Sequence, residues 1–390
     1  MSDPLDERAT VRILGTHGVP AEYGGFETAA ENVGRYLVSR GWRVIVYCQT
    51  AHQRPVYEDV WNGIERVNIS VPNLRCTGTA KFDWLSVRHA LKHSDPCLTF
   101  GYNTGVFNIP LRLRGIPSIV NMDGIEWSRK RWGLFWQAVL YINERLAAWF
   151  ANELIADHPE LKTYLLTRAP ERKITTITYG AHRIDDAPTT PVQALGLEPK
   201  KYLTLVARPL PENSILELVQ AFSAKPRGVT LAVLGDYNGD ADPYHRAVLD
   251  AASDEVEFLG AIYDQAVVQA LRYHSLGYLH GHTVGGTNPS LVEALAAGNP
   301  VIAHGNKYNT WVAGSAGLFF KTPAEAEKCI DELLTNAELA AILSRNAIAR
   351  FESEFTWDHV AAQYEALIRS SLRAREPRTR SIRREIQWST

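Results

Sequence analysis

A chain of 390 residues, 45% hydrophobic and 22% charged, has the composition of a globular protein with room for two domain cores, which excludes a disordered chain. Its formal net charge of −2 gives no overall pull toward nucleic acid, so no nucleic-acid partner is expected and attraction to any anionic surface must come from local patches. Four scattered cysteines without a Cys-x-x-Cys pair argue against a disulfide framework or a zinc site and fit a reducing cytoplasm.

Met1 to Arg8 contains no apolar run and does not read as a signal peptide. Val11 to Gly15 predicts a first strand, Glu27 to Arg40 a helix, and Arg43 to Cys48 a second strand after a turn at Gly41. Between the first strand and the helix lies Gly15-Thr-His-Gly-Val-Pro-Ala-Glu-Tyr-Gly24-Gly25-Phe-Glu27-Thr28. This loop is too long, and its glycines wrongly spaced, for the GxGxxG dinucleotide turn. Gly24 and Gly25 nevertheless let the backbone approach a ligand closely. Glu27 reads as an acceptor-side group or, with Thr28, as a simple helix cap.

Further strands are expected at Cys97 to Phe100, Ser118 to Asn121, Glu153 to Ala156 and Ile174 to Thr178. Asp123 follows one of these strands, in Asn-Met-Asp123-Gly124-Ile-Glu126-Trp127, and sits where it can orient a substrate hydroxyl or accept its proton. An aspartate before glycine is also a common turn residue. Glu126 and Trp127 extend the same edge toward the acceptor. Arg129, Lys130, Arg131, Trp132, Phe135 and Trp136 mix cations with aromatics, which suits lipid headgroups or a lipid-linked acceptor, or else a solvated charge run before a core helix. That helix, Leu134 to Phe150, is broken by Gln137, Asn143, Glu144 and Arg145, and no segment reaches the ~20 apolar residues of a membrane span.

Tyr179 to Pro191 is rich in turn residues and marks the expected boundary, giving domains at 1–180 and 181–355. The strand–helix rhythm then restarts with Tyr202 to Ala207, Val229 to Leu234, Val256 to Leu259, Leu276 to Leu279 and Pro300 to Ala303. Two doubly wound parallel sheets are therefore expected, with one cleft at the carboxyl ends of their strands. Arg208, just past the first strand of the second series, offers a planar, permanently charged fork to a diphosphate. Asp185, Asp186, Asp236 and Asp240 lie in turn-rich stretches and read as loop caps; neither a metal nor a cofactor is expected. Residues 356–390 form an amphipathic helix, expected to pack back on the N-terminal domain, and an arginine-rich tail.

The most informative segment is His280-Gly-His-Thr-Val-Gly285-Gly286-Thr287-Asn288-Pro289-Ser290-Leu-Val-Glu293-Ala-Leu-Ala-Ala-Gly298. Asn288 is placed as an N-cap, Pro289 as the first helical residue, and Gly298 as the stop. A glycine-rich loop feeding a helix start presents free N–H groups and positive dipole charge to a phosphate. Glu293, one turn into the helix, is positioned to accept from ribose hydroxyls.

In order and content these segments resemble glycosyltransferase family 4, over nearly the whole chain. Gly15 to Thr28, Asn121 to Trp132 and Gly281 to Glu293 are similar, more narrowly, to its bacterial rhamnosyltransferase branch. The resemblance implies a GT-B fold and a nucleotide-sugar donor, dTDP-L-rhamnose in that branch. It also implies a saccharide or lipid-linked acceptor in capsule or exopolysaccharide synthesis, no metal at the leaving group, and retention at the donor carbon. Glu293 matches the second glutamate of the family's Glu-x7-Glu motif, but Gly285 stands at the first, Asn213 at the family's phosphate lysine, and Asp123 at its histidine. The expected catalytic set is Asp123, Arg208 and Glu293. The expected donor contacts are Gly24, Gly25, Gly285, Gly286, Thr287, Asn288, Pro289 and Ser290. The cysteines point to a cytoplasmic enzyme, and the 129–136 segment and the arginine-rich tail to peripheral contact with the inner membrane face.

A UDP- or GDP-hexose donor, or a sugar-nucleotide-binding protein without turnover, remains compatible with those departures. An NAD-dependent oxidoreductase does not fit, because neither half carries a tight GxGxxG turn with an acid about 20 residues on.

Overall fold

The computed structural model describes residues 9–22, 24–51, 56–72, 76–129 and 132–373; Lys130, Arg131 and the arginines from Arg375 onward lie outside the described residues. Two sheets organise them. The first holds β1 (Thr10–Leu14), β2 (Arg43–Thr50), β3 (Tyr57–Trp61), β4 (Ile64–Ser70), β5 (Cys97–Phe100), β6 (Ser118–Asn121), β7 (Glu153–Ala156) and β8 (Ile174–Thr176). Its order is β3-β4-β2-β1-β5-β6-β7-β8. The second holds β9 (Tyr202–Val206), β10 (Thr230–Leu234), β11 (Val256–Phe258), β12 (Tyr278–His280), β13 (Val301–His304) and β14 (Gly317–Phe320), in the order β11-β10-β9-β12-β13-β14.

Every pairing is parallel except the β3–β4 hairpin. Helices cover both faces, so central strands are apolar on both sides: Val11, Ile13, Val44, Val46, Leu98 and Ile119 are fully buried. The hairpin behaves differently. It turns at Asn62-Gly63, both with positive φ, and its edge strand Tyr57–Trp61 is largely exposed and carries Glu58 and Asp59. It had no apolar run to announce it. β14, the opposite edge of the second sheet, was also absent from the sequence expectation.

Strand order reverses between β1 and β5 in the first sheet, and between β9 and β12 in the second. Ligands of doubly wound folds bind outside the carboxyl ends of strands at such switch points. The chain crosses between the sheets twice, side by side. Ala181 N–H donates to Phe355 O at 2.8 Å and Trp357 N–H to Ala181 O at 3.3 Å.

After the second crossing, helix Trp357–Arg373 lies against helix Gly25–Ser39 of the first sheet. Val360, Ala361, Tyr364 and Ile368 pack with Ala30, Val33 and Leu37 in one core. Each large side chain buried there contributes roughly 1.5–3 kcal/mol. Trp42 Nε1 also donates to Glu365 at 3.0 Å.

Candidate functional site

The loops after the switch-point strands converge on a cavity of about 320 Å³. Gly25 and Phe26 line it from the first loop, Asp123 and Glu126 from the loop after β6, Asp157 from the end of β7, Arg208 from the loop after β9, and residues 285–289 from the loop after β12. It continues into a wider opening of about 730 Å³ through the shared residues Arg129, Glu212, Val284 and Gly285.

The C-terminal wall is built for an anion. Helix Pro289–Ala296 begins with Asn288 as N-cap, whose side chain accepts from Ser290 N–H at 3.0 Å. Before and at the cap, the N–H groups of Gly285, Gly286 and Asn288 take no hydrogen-bond partner among the described residues. Gly285 has φ of +140°, a backbone conformation that an L side chain rarely adopts. This accounts for glycine where the Glu-x7-Glu pattern expects glutamate. Arg208 reaches the same wall, and no carboxylate among the described residues pairs with it. Asn213, in the place of the expected lysine, is buried and donates from Nδ2 to Arg208 O at 2.8 Å, so it shapes the loop rather than offering charge.

Opposite lie two carboxylates. Asp123 adopts a left-handed backbone with φ of +53°. A residue other than glycine holds that conformation only when its surroundings fix it. Asn121 Oδ1 accepts the Asp123 N–H at 3.1 Å, and Asn121 Nδ2 in turn donates to Tyr364 OH at 2.9 Å. The C-terminal helix thereby supports the site from behind.

Asp157 was not singled out in the sequence. Its Oδ1 is buried without a partner, and a Cβ placed on Gly286 would sit 2.2 Å from that atom. Burial first, and the Asp123 charge second, push its carboxyl up to about 8, so at neutral pH Asp157 holds its proton. Thr287 Oγ1 also bonds to Asp157 O, joining the two walls. His282 is a second group that went unnoticed. It stacks on His280 at 4.3 Å, and burial, then the Arg208 and Arg129 charges, push it down to about 4. A carboxylate just past a parallel strand end was the available signal for Asp157, as it was for Asp123.

Other expected residues fall elsewhere. Glu293 lies outside this cavity, in a neighbouring one of about 230 Å³ lined also by His182, Gln265, Gln269 and Arg272. Its carboxylate pairs with the buried Arg272 at 2.6 Å. Glu27 is buried and accepts the His17 N–H at 2.9 Å, so it ties down the first glycine loop and does not face an acceptor. Gly24, with φ of +109°, caps helix Gly25–Ser39 and stands outside the cavity lining. The Ser290 hydroxyl is engaged by Asn288 at 2.8 Å and Tyr278 at 2.9 Å.

Trp127 turns away from the cavity, donating from Nε1 to Glu144 at 3.0 Å and to Tyr164 at 3.1 Å. Glu126 does line the cavity, but its carboxylate pairs with Arg129 at 2.8 Å and accepts from Trp132 Nε1 at 2.8 Å. Arg129 also reaches across to Glu212 at 3.4 Å, so this cation bridges the walls and does not face solvent lipid. Asp185 pairs with Arg183, and Asp240 with Arg246. Among the described residues no cluster of three or more metal-ligating side chains is present.

Comparison with known proteins agrees with this geometry. Residues 8–182 match a family model described as a domain of unknown function, DUF1972, and residues 214–366 match one described as glycosyl transferase-like. No curated protein sequence matches the chain. Among solved structures it resembles sucrose-phosphate synthase from Thermosynechococcus elongatus, with 18% identity over 94% of this chain and 100% of that one, at a TM-score of 0.80. Anabaena HepE in complex with UDP and glucose shares 18% identity over 93% of this chain and 100% of that one, at 0.73. The α,α-trehalose 6-phosphate synthase from Burkholderia multivorans shares 11% over 94% and 97%, at 0.70. The fold is therefore GT-B, two Rossmann-like halves around a central cleft.

Proposed function

We propose that this chain, a glycosyltransferase by its C-terminal family match and fold, takes L-rhamnose from dTDP-L-rhamnose and attaches it to a saccharide or lipid-linked acceptor in surface-polysaccharide synthesis. The observation that carries a nucleoside-diphosphate donor is Arg208, unpaired among the described residues, beside the N–H groups of Gly285, Gly286 and Asn288, which likewise take no partner among them. Fixed dipoles and a guanidinium in a closed cleft stabilise the charge that grows on the diphosphate as the sugar leaves.

In this reading the bond between the donor C1 and the diphosphate oxygen breaks, and the acceptor oxygen bonds to C1. The acceptor proton passes to Asp123, the carboxylate on the facing wall. Asp157, protonated at neutral pH, donates a hydrogen bond to a donor-sugar oxygen. Glu293 and the smaller cavity beside it take the nucleoside end, with Arg272 holding the carboxylate in place. Contact across the cleft mouth, as between Arg129 and Glu212, keeps water from the donor.

A UDP-hexose donor is the second reading, favoured by the structural likeness to HepE, which has been seen with UDP and glucose. A panel of dTDP-, UDP- and GDP-sugars, scored by released nucleoside diphosphate, separates the two. The proposal expects release from dTDP-L-rhamnose in the presence of acceptor. Release from UDP-hexoses alone replaces the donor, and nucleotide binding without release from any donor removes the enzymatic reading.

A further inference from the structure

Helix Leu134–Phe150 shows apolar side chains to solvent as well as to the core. Its inward face buries Leu140, Ala147 and Ala148 together with Glu144, 1% exposed, whose carboxylate takes Arg168 Nε at 2.7 Å and Tyr164 OH at 2.9 Å. Its outward stripe carries Phe135, Ile142 and Trp149, 72%, 55% and 61% exposed, seven residues apart and so on one face. A water-facing helix places polar residues there.

The patch extends beyond the helix. Val106 N–H donates to Asn143 Oδ1 at 3.0 Å, which ties the exposed Val106 to the same helix. Leu113, 81% exposed, ends a helix (Asn108–Leu113) that packs on the same element. Several large exposed apolar side chains gathered on one helix and the segments fastened to it mark an interaction site.

Cations gather at the Trp149 end. Lys173 Nζ donates to Ala148 O at 2.7 Å. Burial first, then the Arg112 charge, lowers the Lys173 pKa; Glu153 raises it and Arg172 lowers it again. The other acid nearby, Glu171, is taken by Lys162 at 3.2 Å. The cluster is therefore net positive. Among the described residues no helix is long and apolar enough to cross a membrane.

We infer that this face docks on an anionic lipid surface, with Phe135, Ile142 and Trp149 entering the headgroup–acyl boundary and Arg112, Arg172 and Lys173 meeting lipid phosphates. A second copy of the chain, applied symmetrically, would set the same positive clusters together; an anionic bilayer neutralises them. The loop that carries Asp123 runs directly into this helix, and Trp127 ties the two together through Glu144. Docking therefore sets the acceptor side of the cleft at the lipid surface. That orientation serves a lipid-linked acceptor and rests on the proposed function, whereas the docking itself does not.

The test is flotation of the full chain with vesicles of phosphatidylcholine alone or mixed with phosphatidylglycerol. Wild type is expected to float with the mixed vesicles, and its tryptophan emission to be quenched by brominated lipid. Phe135→Ser, Ile142→Ser and Trp149→Ser combined should cut partitioning by about tenfold or more, because exposed apolar area drives insertion. Arg112→Gln, Arg172→Gln and Lys173→Gln should each cost about fivefold at low salt. Unchanged melting and dTDP binding would show that the variants are folded. Replacing Arg378, Arg380, Arg383 and Arg384 by Gln should leave the brominated-lipid quenching in place.

Undiminished flotation of the triple apolar variant would overturn the inference. So would a wild-type dimer, split by that variant, that ignores vesicles. Nucleotide turnover without flotation removes only the docking; flotation without nucleotide binding removes only the proposed function.

Discussion

Asp157 gives the sharpest physical test of the cleft. In the folded protein its carboxyl is pushed up to about 8, by burial first and by Asp123 second, from an ordinary aspartate's 3.8. Below pH ~4 folded and unfolded chains both hold the proton, and the group is neutral to stability. Between about 4 and about 8 the folded state keeps a proton that the unfolded chain has released, so stability falls as pH rises through this window. Four units at ~1.36 kcal/mol each set a ceiling of about 5 kcal/mol, lowered to the extent that the cleft opens and admits water. Asp157→Asn keeps the shape and removes the titration. The variant should therefore match wild type only below pH ~4, exceed it progressively above that, and lead by a few kcal/mol near pH ~8.5. At about 2–4 °C per kcal/mol for a unit of this size, that is a difference of several degrees in thermal unfolding followed by circular dichroism. Parallel Tm-against-pH curves for the two proteins would refute the reasoning.

Gly286→Ala should reduce donor turnover by about tenfold or more while leaving both halves folded, because its Cβ meets the Asp157 carboxylate at 2.2 Å and holds the cleft open. Small-angle scattering should show an expanded molecule, and unchanged kcat/KM would contradict the close approach. Glu293→Ala strands a guanidinium that is 4% exposed, so it should lower stability by about 3 kcal/mol besides weakening nucleotide binding. An unaltered Tm would mean that the Arg272 pair is energetically idle. Trp127→Phe removes the hydrogen bond to Glu144, costing about 1 kcal/mol of stability, but should leave the acceptor KM unchanged. A raised acceptor KM would return Trp127 to the site.

Much of this was legible in the sequence because doubly wound sheets write themselves as buried apolar runs. β1, β2, β5, β6 and β7 and the core strands of the second sheet fall within a residue or two of where Val, Ile and Leu cluster. The Asn288-Pro289 helix start was equally readable, since cap and first-turn chemistry are local. Edges were not. Tyr57–Trp61 lacks a buried face and so lacks a pattern. Site membership was harder still, because it depends on long-range contact. Asp157 looks like a turn residue ahead of Pro159 until Gly286, 129 positions later by subtraction, packs against its carboxylate. Trp127 and Glu27 carried the residue types of a binding edge, but folding spends their polar atoms on Glu144 and on His17 N–H. Residue type and spacing bring a side chain to the cleft; only packing decides which way it turns.

The central claim is that the cleft between the two switch points holds the diphosphate of a nucleotide donor through Arg208 and the 285–288 backbone. Isothermal titration of dTDP into wild type and Arg208→Gln addresses it most directly. The expected result is saturable binding by wild type and about tenfold to a hundredfold weaker binding by the variant, as for the loss of one charge-assisted phosphate contact. Equal affinity in the two proteins would contradict it.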